Sequence, residues 1–382
     1  MRYLDYAATT PLLPEVTDAM LASMRENFGN PASVHGVGRR ARAAVEDARE
    51  RLAAAIGAGP AEITFTGGGS EADNLALKGS AGAGAGGLGG HVVITVFEHH
   101  AVLDSAHWLK AHGCEVTAVS VCADGVVRPG DVAAAVRPDT SVVSVMAVNN
   151  EIGTVQPIAG IVAAVKAVNP GTLVHTDAVQ ALGNIPVDVG LWGVDLAAFA
   201  AHKLGGPKGV GALYVRPGLH LEALIHGGGQ ERGLRSGTLN VAGITGFGVA
   251  AEIAAKEVYA KAARLLPLRA RLLDGLRAQV PDLIVNGDLT RRVPGNLNLS
   301  VPGAGGETLL MLLDAAGIAC STGSACQSGA IDPSHVLLAI GAPKEVADAS
   351  LRFSLGRDSS IDDVDAVLAV FPGIVERARR AA

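Results

Sequence analysis

From residue 62 to residue 215 the chain repeats one pattern: a short run of apolar, often β-branched residues, then a longer stretch of helical composition. The runs are uninterrupted rather than alternating. HVVITVF at 91–97 and SVVSVMAV at 141–148 are the clearest. Further strands are expected at 62–66, 114–121, 172–176, 194–199 and 210–215, with helices at 70–78, 99–112 and 158–168. Strands apolar on both faces and separated by helices belong to a mostly parallel sheet covered on both sides. Such a sheet binds ligands beyond the carboxyl ends of its strands. Residues at those ends therefore carry most of the functional information.

The chain then changes character. Residues 239–279 are Ala/Leu-rich and helical, with a break expected at Pro267. The remainder reads as α+β, with strands near 283–286, 296–301 and 350–355 and helices near 307–316, 334–340 and 362–379. A large domain over 15–255 and a smaller one built from 1–14 and 256–382 account for the 382 residues. An apolar fraction of 49% against 18% charged excludes disorder as a global description. Lys and Arg number 31 against 37 Asp and Glu, with no basic stripe, which argues against a nucleic-acid surface. The N-terminal MRYLDYAATTPLLP has no apolar run and does not read as a signal peptide. The longest apolar stretch, 241–255, is interrupted by Thr245, three glycines and Glu252, so no membrane span and a cytoplasmic protein are expected. The four cysteines, Cys114, Cys122, Cys320 and Cys326, form no CxxC pair and are too few for a disulfide scaffold; no metal site is expected.

One low-complexity segment, GSAGAGAGGLGG at 79–90, matches G-x-G-x-x-G at Gly82, Gly84 and Gly87. A dinucleotide fingerprint follows a strand and opens a helix. Here the order is reversed, so the segment is expected to be a flexible surface loop.

The informative residues lie elsewhere. Thr66-Gly67-Gly68-Gly69-Ser70-Glu71 joins a strand to a helix. Glycines let the backbone approach a ligand, and the helix N-terminus offers free N–H groups to an anion. A plain Ser-capped turn is the alternative. His99 follows a buried strand, where a structural role is equally open. Asp177 ends the LVHTD strand, either as a functional acid or as a helix cap, with Gln180 close behind. Lys203 follows the DLAAFA strand, as a solvated end charge or as a desolvated nucleophilic amine. Together these put a His, an Asp and a Lys at one sheet edge beside a phosphate-type loop. That set fits pyridoxal phosphate, which needs an amine for its aldehyde, an acid for its ring nitrogen, a stacking group and a phosphate cradle. A second locus is the small, polar Cys320–Gly329 segment, STGSACQSG after Cys320, in which Cys326 is an available thiol and Cys320 is expected to be partly buried. Cys114 and Cys122 flank a strand and read as structural. Arg352, inside the apolar strand LRFSL, needs a partner: a substrate carboxylate or a structural ion pair.

At this point the chain resembles a known family, the cysteine desulfurases of the NifS/IscS type with the class V aminotransferase fold. The matching words run in order from Tyr3 to Arg357: YLDYAATTP, FGNPAS, TGGGSEADNLALKG, EHHAVLD, VNNEIG, HTDAVQALG, HKLGGPKGVGALYV, HGGGQERGLRSGTLN, STGSACQSG and LRFSLGR. The STGSAC form resembles the subgroup with the longer catalytic-cysteine loop, here about 319–331. The resemblance implies an α/β fold, the pyridoxal-phosphate transferase fold type I, with a mostly parallel seven-stranded sheet plus a smaller α+β domain. It implies that Lys203 binds the cofactor, that Asp177 pairs with the ring nitrogen and that His99 stacks on the ring and takes part in proton transfer. Gln180 would bond the ring hydroxyl oxygen. Ser70, the Gly69 amide and His202 would hold the phosphate, and Thr238 would reach the phosphate of a neighbouring subunit, which implies a homodimer. Asn150 and Arg352 would bind the substrate carboxylate, and Cys326 would take sulfur from L-cysteine as a persulfide, leaving L-alanine. Sulfur-acceptor proteins would follow, such as an iron–sulfur scaffold or thiolation enzymes for transfer RNA.

Two positions depart from the family pattern. Ala200-Ala201 stand where Ser-Gly is usual before His202, so one phosphate donor is missing and a methyl is added near Lys203. Gln327 stands where Thr is common, with an expected effect on reactivity only. A selenocysteine lyase would use the same residues but would not require Cys326. A dinucleotide oxidoreductase leaves Lys203 and Cys326 unexplained. A non-catalytic scaffold has only Ala200 and Ala201 in its support.

Overall fold

The computed structural model describes residues 1–82, 89–322 and 333–381. The seven expected strands lie in one sheet. Their spatial order is Ile63–Thr66, Gly211–Val215, Leu196–Ala200, Leu173–Asp177, Thr140–Ser144, His91–Thr95 and Glu115–Val119. Gly211–Val215 alone runs against its neighbours. The other pairings formed among the last five strands are parallel. Two apolar clusters flank the sheet, with Val93, Val143 and Phe199 in one and Val92, Val142 and Leu213 in the other. Adjacent residues thus feed opposite faces, which is why the strands read as continuous apolar runs. Glu115–Val119 is the exception: it is the edge strand and most of it is exposed.

The strand expected at 141–148 ends its regular pairing at Ser144. Residues 145–148 stay buried, and the Ala147 N–H still donates to the Asp177 carbonyl. The chain leaves the sheet there because Asn149 forms a tight turn. Its Oδ1 accepts from the N–H groups of Glu151 and Ile152, and its Nδ2 donates to the Phe97 carbonyl.

Two expectations need correction. The helix Val241–Gln279 runs unbroken through Pro267. Proline removes one backbone donor, but packing on both sides holds the helix: Phe247, Ala250 and Ala251 belong to the large-sheet core, and Leu265, Leu272 and Leu276 to a second core. The glycine-rich segment is not loop throughout. Helix Gly69–Gly82 includes its first four residues, and Gly79 packs where a Cβ would meet the Glu222 carbonyl at 2.9 Å. Gly84 and Gly87 of the fingerprint match lie outside the described residues.

The second core belongs to an antiparallel sheet in the order Ser350–Ser354, Asn296–Ser300, Ile284–Val285. Helices Gly306–Ala315 and Ile361–Ala381 supply Leu309, Leu313, Val367 and Phe371 to it. Leu4 is part of this core, and the strand Arg2–Tyr3 pairs in parallel with Ile318–Ala319. Residues 5–13 then cross to the large sheet, where Leu13 and Val16 join its core. No described helix is long and apolar enough to cross a membrane.

A buried ion pair ties the helix Gly36–Ala55 to the loop after the large sheet. Arg49 Nη1 and Nη2 donate to the two Glu231 oxygens at 2.9 and 2.7 Å, and the Phe65 N–H donates to Glu231 Oε2 at 2.7 Å. Removing one partner of such a pair strands the other charge. Glu231→Ala is expected to lower unfolding free energy by about 3–5 kcal/mol, read as a lower urea midpoint. A change under about 1 kcal/mol, the range of an exposed pair, would show that the pair does not carry this join.

Candidate active site

The carboxyl ends of the central strands open onto a cavity of about 300 Å³. It gathers Gly69, Ser70, His99, Asn150, Asp177, Gln180, His202, Lys203 and Arg352, which covers every described residue given a catalytic, cofactor or substrate role above except Thr238. Thr238 is exposed and outside this cavity. Cys326 and Gln327, and with them most of the 319–331 segment, lie outside the described residues.

Each side chain arrives by a local device. Asp177 is the last residue of its strand, and its Oδ1 accepts from the Val179 N–H at 2.9 Å, which fixes the carboxylate. The helix-cap expectation is corrected: no helix follows Asp177, since residues 178–188 are turn and irregular backbone and the next helix begins at Val189, so this bond holds a local turn. His99 caps the helix His100–Ala111: its Nδ1 accepts from the Ala101 N–H at 3.1 Å, which leaves the proton of the neutral ring on Nε2. Lys203 closes the single turn Ala201–Lys203 after its strand. Arg352 donates to Asp5 Oδ1 at 2.8 Å and to the Asn150 carbonyl at 2.9 Å, so the structural ion pair exists at the wall of the same cavity.

The strap of residues 5–13 was not assigned any role from sequence, and it organises the site. The carbonyls of Ala7 and Ala8 accept from Lys203 Nζ at 2.5 and 2.8 Å, and Ala7 also accepts from Gln180 Nε2 at 2.9 Å. Thr10 Oγ1 donates to the His202 carbonyl and accepts from the Gly205 N–H, pinning the turn that presents Lys203. Thr9 Oγ1 lies 3.1 Å from His202 Nδ1. Backbone acceptors have no side-chain signature, so only the word YAATT as a whole signals them. Asn149, which precedes Asn150, was missed for a similar reason: apart from the Met146 sulfur, its partners are backbone groups.

Burial dominates the electrostatics. It pushes Asp177 above the ordinary carboxylate value, while His99 and then Lys203 pull it back. Burial lowers His99, Asp177 opposes, and Lys203 adds to the fall. His202 is pushed down to about 4 by burial, with Lys203 and Lys208 adding. His202 is therefore a neutral donor or acceptor near neutral pH. Cys320 is buried, more fully than the partial burial expected, and that burial pushes its thiol up to about 12, which makes it unreactive near neutral pH.

The phosphate-type loop has the shape its composition suggests. A Cβ at Gly69 would meet Val179 Cγ2 at 2.7 Å, and one at Gly211 would meet the Gly68 backbone at 2.4 Å. The bare glycines leave space and bring the helix N-terminus to the cavity, where its first N–H groups have no intrahelical acceptor. Ala200 faces this loop and offers no hydroxyl. The Ala201 methyl sits against Gly206, where an added Cβ would lie 2.9 Å away, so the absence of a side chain at 206 accommodates it.

Residues 2–367 match the family described as Aminotransferase class-V. The chain belongs to the class-V aminotransferase family. It is 48% identical over 379 residues to a protein named cysteine desulfurase IscS from Clostridium botulinum, covering 99% of this chain and 95% of that one. It is 48% identical to an IscS-like cysteine desulfurase from Mycobacterium tuberculosis, covering 100% and 98%. Among solved structures, a NifS-like protein superposes with a TM-score of 0.92 at 39% identity, covering 99% of this chain and all of that one. Fold type I is thus the fold of this chain, and pyridoxal phosphate is its cofactor. The site fits that group: a primary amine, a buried carboxylate, an imidazole and a helix N-terminus border one cavity of suitable size.

One buried acid beside the site gives a pH signature. Glu98 Oε1 accepts from Thr95 Oγ1 at 2.5 Å and from the Met146 N–H at 2.9 Å, and burial pushes its pKa up to about 8 against those two bonds. In the unfolded chain a Glu titrates near about 4.3. The fold therefore holds this proton more tightly, and its contribution to stability falls as pH rises from the unfolded value toward about 8. Glu98→Gln keeps an acceptor oxygen without a charge to bury. Urea unfolding followed from about pH 5 to about pH 8 should show the variant gaining steadily on the wild type. A constant offset between the two would mean that Glu98 does not carry the proton.

Proposed function

We propose that this chain takes sulfur from L-cysteine, releases L-alanine and holds the sulfur as a persulfide on Cys326. The observation that carries the reading is the placement of Lys203 and Asp177 in one cavity with Arg352, in a chain about half identical to cysteine desulfurases over its full length. Neither a selenocysteine lyase nor a non-catalytic scaffold is favoured by any observation here.

When bound, pyridoxal phosphate supplies an aldehyde that condenses with amines and a protonated ring that draws electrons from the bonds at an amino acid's Cα. The chain's own residues do the rest. Asp177, fixed by the Val179 N–H, would keep the ring nitrogen protonated. His99 would lie on the ring face, with Nε2 carrying a proton toward the cavity. Ser70, the Gly69 amide and His202 would hold the phosphate. Gln180 keeps a second amide hydrogen for the ring hydroxyl oxygen after donating one to Ala7. Arg352 and Asn150 would orient the substrate carboxylate, and the Lys203 amine would move the Cα proton. The Cys326 thiolate would then attack the substrate sulfur. The new S–S bond forms as the C–S bond breaks, the electron pair goes to carbon, and a proton completes alanine.

The same reading extends to assembly. An exposed Thr238 outside its own cavity supports a homodimer in which it reaches a neighbouring phosphate. The separate core that includes Leu4 and residues from Leu265 onward supports a smaller unit built from 1–14 and 256–382 beside a larger one over 15–255. Sulfur-acceptor proteins such as an iron–sulfur scaffold would receive the persulfide. Cys114, Cys122 and Cys320 form no disulfide among the described residues, which supports a reducing, cytoplasmic setting.

Two variants test the reading. Lys203→Ala should abolish the visible absorption of amine-bound cofactor; an unchanged spectrum would sink the assignment. Cys326→Ser should keep that absorption but lower alanine formation from cysteine by at least about a thousandfold, the scale of losing an essential nucleophile. Retained alanine formation would move the nucleophile elsewhere.

A further inference from the structure

Behind Asp177 runs a line of buried polar side chains that the chemistry above does not use. Asp73 projects from the helix Gly69–Gly82 and borders the cavity. His175 lies two residues before Asp177 on the same strand, and so on the same face of the sheet. Ser144 ends the neighbouring strand. Asp73 is 1% exposed, and His175 and Ser144 are fully buried. His175 Nδ1 lies 2.8 Å from Ser144 Oγ, and His175 Nε2 lies 3.5 Å from Asp73 Oδ1. Neither of those last two atoms has a hydrogen-bond partner among the described residues, and at 3.5 Å they are each other's nearest candidate.

Three charge arrangements bear on this pair, and within the neutral one the tautomer of His175 sets the direction of the bond. An Asp73 carboxylate facing an Nε2–H would put a second buried anion on the wall that already holds Asp177, with Glu98 also near. Two buried carboxylates on one cavity wall oppose each other's ionisation, and the one with less support keeps a proton. An Asp73–imidazolium ion pair would bury two charges with no further donors to support the carboxylate. The third arrangement is neutral throughout and satisfies both orphaned atoms. It also explains which acid takes the proton. Asp177 receives the Val179 N–H and is faced by His99 and Lys203, all of which favour its charge. Asp73 is faced by Asp177 and Glu98, with His175 Nε2 3.5 Å from its Oδ1.

We propose that Asp73 is a carboxylic acid whose O–H donates to His175 Nε2, while His175 Nδ1–H donates to Ser144, so that Asp177 is left as the single anion for the cofactor's ring nitrogen. Asp73 and His175 are positioning residues that act through Asp177. The direction of the buried titrations agrees: burial, then Asp177 and Glu98, drive Asp73 well above the ordinary carboxylate range, and burial pushes His175 down to about 3. The inference rests on the proposed pairing of Asp177 with the ring nitrogen.

The test uses the cofactor-loaded enzyme near neutral pH. The infrared difference between wild type and Asp73→Asn should show loss of a protonated-carboxyl C=O stretch. Loss of a carboxylate stretch instead would overturn the proposal. The pH midpoint of the bound cofactor's visible absorption should stay within about 0.3 unit in Asp73→Asn, since one neutral group replaces another. A fall of about one unit or more, the scale of removing a nearby anion, would overturn it. Should that variant fail to fold, the nitrogen chemical shifts of His175 in the wild type decide the matter: an unprotonated Nε2 with a protonated Nδ1 is expected, and the reverse tautomer overturns the proposal. Failure of the Asp177 pairing itself would show differently, as an unaltered visible spectrum in Asp177→Ala while the Asp73 stretch remains in place.

Discussion

Asp177 is 5% exposed at the end of a central strand, and the cost of keeping a charge there shapes its surroundings. A carboxylate in a dry site needs donors or opposite charge. The Val179 N–H supplies one bond, and His99 and Lys203 supply the favourable field. Both of those depend on further structure. His99 is aimed because it caps a helix, and Lys203 is aimed because a strap from the other end of the chain offers it two carbonyls. The acid thus requires the sheet, the helix and the strap together, and none of the three would place it alone.

The sheet and most of the site were legible in the sequence because both use side chains. Strands buried on both faces favour apolar runs, and those at 91–97 and 141–148 announced themselves most clearly so. The edge strand Glu115–Val119 was expected, but its exposure was not. Helix Ile158–Val168 was read to the residue. Lys203, Asp177 and His99 stood out as ionisable groups at strand ends. What was not legible acts through the backbone. The carbonyls of Ala7 and Ala8 bond like any other carbonyls, and nothing in two alanines says that they will meet a lysine 195 positions on. Asn149 received no role from the sequence, yet it builds the turn while Asn150 faces the cavity. Pro267 was read as a stop because local rules say so. Tertiary packing on both sides overrode them.

Departures from the family pattern can be judged by what surrounds them. Ala201 is harmless in shape because Gly206 leaves room. Ala200 offers no hydroxyl on the side where the phosphate is proposed to lie, and Ser70, His202 and the helix N-terminus are what would hold it there. His202 is neutral near neutral pH, so on that proposal much of the anion's stabilisation would fall to the oriented N–H groups.

The parallel pairing of Arg2–Tyr3 with Ile318–Ala319 has a consequence for biosynthesis. A ribosome releases the first strand of this pair long before the second. At about 5–20 residues per second, the opening residues would wait on the order of 15–60 s for their partner. The large sheet can close in that interval, but the strap that holds Lys203 cannot be anchored at its far end. The enzyme's lysine would therefore reach its final position only when nearly the whole chain has been made, so a nascent chain could carry a finished sheet and still lack a finished site.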